Sequence, residues 1–215
     1  MYAVQQAIHA DVQQQFNRQI ERLEKDIQSQ FERTLFALKG GRGLYAASRS
    51  VERAEFRAFV ASRANAEEFP GVPGFGFIER VRRADLDAFV RAERADDAPG
   101  FSVTTRGNAA DLYVIKFFES LTKHRAALGQ DVGSEPVQRE AVERAISTGE
   151  PTLSGLITLV QDGQQRPGML YLLPIYQKGK TPTSPAEREA TLMGLLYSPI
   201  VMDEIMIART ADKYG

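Results

Sequence analysis

Phe69-Pro70-Gly71-Val72-Pro73-Gly74-Phe75-Gly76-Phe77-Ile78 marks the point where the chain changes character. Upstream of it, apolar residues recur every three or four positions, the period of a helix face. Downstream, short runs rich in Val, Phe, Tyr and Thr are broken by turn residues, the pattern of strands. The two prolines end helical structure, because each lacks an N–H and fixes φ. Gly74 to Ile78 then reads as the first strand. Helices before this stretch and mainly strands after it make the chain α+β, with helices gathered around one antiparallel sheet.

Working upstream, residues 3–39 read as one long helix, with Val4, Ile8, Val12, Phe16, Ile20, Leu23, Ile27, Phe31, Leu35 and Leu38 forming a narrow apolar stripe. At 1.5 Å per residue it extends about 55 Å, so the stripe must be covered by its own domain or by a second copy. Lys39-Gly40-Gly41-Arg42-Gly43 is expected to end or kink this helix, since glycine is costly inside one. A second helix is expected over 51–68, capped by Ser50.

Working downstream, the pattern predicts a helix over 83–94, strands over 101–105 and 112–118, and a helix over 135–147 capped by Ser134 and closed by Gly149. Strands follow over 153–160 and 169–176, joined by a turn at Asp162-Gly163. Ser184-Pro185-Ala186-Glu187 is a capping box with Pro at the first helical position. A last strand over 191–200 and a terminal helix over 202–211 complete the reading.

Composition removes several classes of function. The chain has 215 residues, 27 Lys plus Arg against 28 Asp plus Glu, and a net charge of -1. A dedicated nucleic-acid binder would carry a basic excess. Cysteine is absent, which excludes disulfides, a Cys-ligated metal and a Cys nucleophile. With two histidines, His9 and His124, a three-His metal site is impossible. No apolar run is long enough to span a bilayer, and the N-terminus does not read as a signal peptide, so a soluble chain is expected.

A search for chemistry returns no catalytic constellation. The glycines at 71–76 follow a helix and precede a strand, the reverse of a dinucleotide fingerprint, and those at 40–43 lack P-loop spacing. His9 reads as a surface residue of the long helix and His124 as one of a basic segment. No Gly-x-Ser-x-Gly motif supports a hydrolase. Asp131 has two readings: a carboxylate that fixes its own loop by accepting backbone amides, or a ligand contact at a pocket mouth. The strand Met169-Leu170-Tyr171-Leu172-Leu173, apolar on both faces, is either core or the wall of an apolar pocket. A binding module, without cofactor or metal, is the expected class.

Five segments, in order, resemble the CHASE domain, an extracytoplasmic sensor of histidine kinases and nucleotide cyclases. They are Val51 to Val60; Phe69 to Phe77; Leu128-Gly129-Gln130-Asp131-Val132-Gly133-Ser134-Glu135-Pro136 with Arg139, Ala141, Ala145, Thr148 and Gly149; Leu172 to Tyr176; and Met193 to Ile200. The resemblance covers roughly residues 45–205. It implies an N-terminal stalk helix (1–44) that forms a homodimer, a PAS-like ligand-binding module (45–200), and a C-terminal helix (201–215) leading toward a membrane segment. The chain would then be the periplasmic part of an inner-membrane receptor. It would bind a small molecule and pass the signal through the stalk to a cytoplasmic kinase or cyclase. The alternative is a ligand-free dimerising module.

The best-known ligands of the family are cytokinins, N6-substituted adenines, which the resemblance makes a candidate ligand class. Carried over residue by residue, the aspartate that recognises adenine falls on Gln138, whose amide both donates and accepts but lacks the charge. The backbone contact falls near Val160. The Thr that meets a hydroxylated tail falls on Leu172, which offers no hydroxyl. A pocket-lining Thr falls on Ser154. The expected ligand-binding set is Gln138, Val160, Leu172, Tyr171, Asp131, Val132, Ser154, Leu195 and Tyr197.

Overall fold

The structure, a computed structural model, describes residues 2–63, 66–120, 128–161 and 164–205. The order of elements is α1 (Tyr2–Ala47), α2 (Arg53–Arg63), β1 (Gly74–Arg82), α3 (Leu86–Ala95), β2 (Asp111–Ser120), α4 (Pro136–Thr148), β3 (Thr152–Leu153), β4 (Ile157–Gln161), β5 (Gln164–Tyr176), α5 (Pro185–Thr191) and β6 (Leu192–Val201). Short 3-10 turns precede α3 and α4. The chain divides into two compact units, Met1–Arg33 and Thr34–Gly215. In the first, Phe16 and Ile20, one helical turn apart, stand exposed.

In the second unit every strand pairing is antiparallel, in the order β2-β1-β6-β5-β3, with β4 also on β5. Side chains alternate across a strand, so the sheet has two apolar faces. On one face, Leu38 and Tyr45 of α1 and Phe56 of α2 are buried, as are Phe77 and Phe117 of the sheet. Tyr45 stacks on Phe77 at 4.6 Å between ring centroids, and Phe56 lies 5.3 Å from Phe117. On the other face α4 buries Gln138, Ala141, Val142, Ala145 and Ile146, the i, i+3, i+4, i+7, i+8 positions of one helix face. They sit beside Ile78, Tyr113, Ile115, Leu170, Leu172, Leu195 and Tyr197.

Several boundaries depart from expectation. The first helix does not stop at Lys39 but runs through the glycines to Ala47. Its buried positions there are Thr34, Leu38, Gly41 and Tyr45, spaced four, three and four. A Cβ on Gly41 would come within 2.8 Å of Leu196 Cδ1, so this glycine lets the helix lie close against β6. The second helix is shorter than 51–68 and begins at Arg53. It is not capped by Ser50: the Glu55 carboxylate instead accepts the Glu52 N–H, at 3.0 Å. Residues 101–105 form no strand, only a single bridge from Thr104 to Gln130. The stretch 153–160 is split into β3 and β4. Between them the Ser154 hydroxyl takes the Leu170 N–H at 2.9 Å and donates to the Gly155 carbonyl at 2.8 Å. Glu135, not Ser134, caps α4 by accepting the Val137 N–H. Gly149 closes α4 at φ 76°, as expected, and the Ser184/Glu187 capping box opens α5. Residues 202–205 are helical. His124, the turn at 162–163 and the terminal helix beyond 205 lie outside the described residues.

Candidate functional site

At the N-terminal end of α4, the helix and the β4–β5 hairpin enclose a cleft of about 570 Å³. Its walls are Glu135, Val137 and Gln138 on one side and Leu156, Ile157, Thr158, Gln165, Arg166 and Pro167 on the other. Gln138 is placed here by the spacing of α4, which turns it inward with Ala141 and Val142. It is 7% exposed and lines the cleft. The rim is apolar: Val137 is 38% and Leu156 68% exposed.

Arg166 is the cation among the described residues lining this cleft. Its guanidinium donates from Nε and one terminal nitrogen to Asp203 Oδ2, at 3.2 and 2.8 Å, and from the other to Glu204. Hydrogen bonding to Asp203 raises its pKa further. Burial opposes the rise by less than that bond contributes.

The remaining expected ligand contacts distribute as follows. Val132, Leu172, Leu195 and Tyr197 pack together in the core beneath α4. Tyr197 is buried and its phenol is pushed up by desolvation. Tyr171 is not with them. It neighbours Leu172 in sequence, so it points to the opposite face of the sheet, paired with Ser198 and Leu153. Ser154 is spent on the β5 backbone. Val160 pairs in register with Gln165. Asp131 is buried, and four donors fill its two oxygens. Oδ1 accepts the N–H groups of Tyr113 (2.8 Å) and Gly133 (3.0 Å); Oδ2 accepts the hydroxyls of Thr105 (2.7 Å) and Ser134 (3.0 Å). Such an Asp ties the 102–106 loop, β2 and the entrance to α4 together, leaving no oxygen for a ligand.

Gln138 is thus the expected contact that faces open space. Its partners Val137, Leu156, Gln165 and Arg166 escaped sequence reasoning. One signal was legible: Arg166 is the lone charge between Asp162 and Lys178, near the start of an otherwise uncharged strand. A second cleft, of about 460 Å³, lies between Arg80, Asp111, Tyr113, Arg139, Glu143 and Glu189. There Arg139 donates to the carbonyls of Gly133 (2.6 Å) and Asp111 (3.0 Å), pairs with Glu143 (3.1 Å) and lies over the Tyr113 ring. Burial pushes the Tyr113 phenol up to about 12. Among the described residues no group of His, Asp or Glu side chains is disposed to hold a metal. No described helix is long and apolar enough to cross a membrane.

A sheet covered by α4 on one face and by α1 and α2 on the other, with a cleft at one end, is the frame of an α+β sensor module. The family model of the CHASE domain matches residues 49–214, and the chain belongs to that family of extracellular sensor domains. Among solved structures, a methyl-accepting chemotaxis protein X is similar at 10% identity and TM-score 0.39. The match covers 86% of this chain and 63% of that one. A search of curated proteins finds no match.

Proposed function

We propose that this chain is the extracytoplasmic, ligand-binding sensor of a membrane signalling protein, and that the ligand is a small molecule seated in the Gln138 cleft. The observation that carries this reading is the Gln138 amide lining an open cleft beside the exposed apolar side chains of Val137 and Leu156. Such a site suits a molecule with an apolar body and an edge that both donates and accepts. Family membership supports output to a kinase or cyclase, and the exposed Phe16 and Ile20 support pairing of α1 with a second copy.

The test is a thermal-shift screen against adenine-type cytokinins, small organic acids and a broad metabolite panel, run in parallel on Gln138→Leu. A ligand at 100 times its dissociation constant stabilises by about 2.7 kcal/mol. At about 2–4 °C per kcal/mol, that is a rise of roughly 5–10 °C. The reading expects such a rise in the native chain and its loss in Gln138→Leu. Equal shifts in both chains would remove Gln138 from the site.

A second reading has its own observation. Leu172, Leu195 and Tyr197 fill the face of the sheet beneath α4, which suits a dimerising module without a ligand. No shift with any compound would favour it.

A further inference from the structure

We propose that Arg166 links the Gln138 cleft to the segment 202–205, and that the occupant acting through it carries a carboxylate. The inference rests on the cleft being a ligand site. It adds what the ligand must present and where its effect goes.

Three contacts hold the chain as it leaves β6. Val201 donates its N–H to the Gly71 carbonyl at 2.8 Å. Ile205 is buried close against Gly71, where a Cβ would collide with its side chain. Arg166 grips Asp203 and Glu204. Of the three, only Arg166 also lines the cleft. A molecule there meets a guanidinium already committed to two carboxylates of the outgoing segment.

That commitment selects the chemistry. A guanidinium presents a planar fork that matches a carboxylate bidentately. A ligand carboxylate can therefore replace Asp203 one for one, leaving Arg166 paired throughout and no charge stranded. The displaced Asp203 rehydrates readily, because its side chain is already 41% exposed. The rim of Val137, Leu156 and Pro167 takes the apolar body, and the Gln138 amide takes a polar group between the two ends. A neutral occupant makes no such exchange. It binds held and released states alike and shifts neither.

The absence of cysteine supplies a direct test. Leu156→Cys places a single, exposed thiol on the cleft rim. Its thiolate displaces iodide from iodoacetate or from iodoacetamide, leaving adducts of nearly equal size, one anionic and one neutral. Hydrogen exchange is then read by mass spectrometry over the peptide spanning 202–205. The carboxymethyl adduct is expected to speed exchange there at least tenfold, and the carbamidomethyl adduct to leave it unchanged. Unlabelled Arg166→Met should match the carboxymethyl rate, and carboxymethylation in the Arg166→Met background should add nothing. Val137→Cys, across the mouth, repeats the comparison should the first adduct point outward.

Equal effects of the two adducts, no effect of either at both positions, or unchanged exchange in Arg166→Met would overturn the proposal. The probe is covalent, so the result does not depend on finding the natural ligand. A silent ligand screen with a responsive carboxymethyl adduct would sink the ligand reading and leave the link standing. A screening hit with silent adducts would do the reverse.

Discussion

Four donors on the two oxygens of Asp131 show how one side chain settles a loop that backbone pairing alone leaves loose. The sequence left two readings open there, because an Asp before a helix bonds backbone amides as readily as it greets a ligand. Nothing local told that Thr105 and Tyr113, some 20 residues upstream, would reach it. Tyr113 sits beside this knot and gives a prediction about pH. Burial, with a smaller contribution from Glu143, raises its phenol pKa from 10.0 to about 12. The folded chain therefore keeps this proton longer than the unfolded chain does. The resulting stability is complete below pH 10 and is lost as pH rises through about 12. Urea melts at pH 9.5 and 11.5 should show a smaller alkaline loss in Tyr113→Phe than in the native chain. Equal losses would mean that this phenol is solvated.

Elements were legible where period and caps agreed, and misread where a distant partner decided. The capping box at Ser184 and the left-handed Gly149 are local devices, and both stand where the sequence places them. The continuation of α1 through Gly40, Gly41 and Gly43 is not local. Propensity argues against it, and packing against Leu196 outweighs propensity. Residues 101–105 have strand composition but bury Phe101 against Phe89 instead of joining the sheet. The cleft was half legible. Gln138 was marked by family resemblance, whereas Arg166 acquires its meaning from Asp203 and Glu204, 37 and 38 residues away. Two of the three α1 glycines, Gly41 and Gly43, differ in a way that melting can measure. A Cβ on Gly43 has nothing within 4 Å, so Gly43→Ala should stabilise by about 0.5–1 kcal/mol. Gly41→Val drives a branched side chain into Leu196 and should destabilise by about 1–3 kcal/mol. A stabilising Gly41→Val would mean that α1 does not lie close on β6.

At the scale of the whole molecule, helices cover both faces of one sheet. If α1 pairs with a second copy, Phe16 and Ile20 belong to the seam. The chain should then sediment as a dimer, and Phe16→Asp with Ile20→Asp should give a monomer of unchanged melting temperature. A native chain that stays monomeric at high micromolar concentration would count against pairing through α1.

The pairing of β1 with β2 slips between Phe77 and Ile78: Phe77 faces Phe117, Ile78 faces Ile115, and Lys116 stands opposite nothing. That single unmatched residue sets the parity of everything after it in β2. Were Lys116 taken into a regular ladder, Phe117 would share the face of Ile115, leave the aromatic side it shares with Phe56 and Phe77, and swing under α4. Deleting Lys116 would therefore make the pairing regular and keep both faces, whereas deleting a paired residue elsewhere in the strand exchanges the faces on one side of it, however conservative the residues involved.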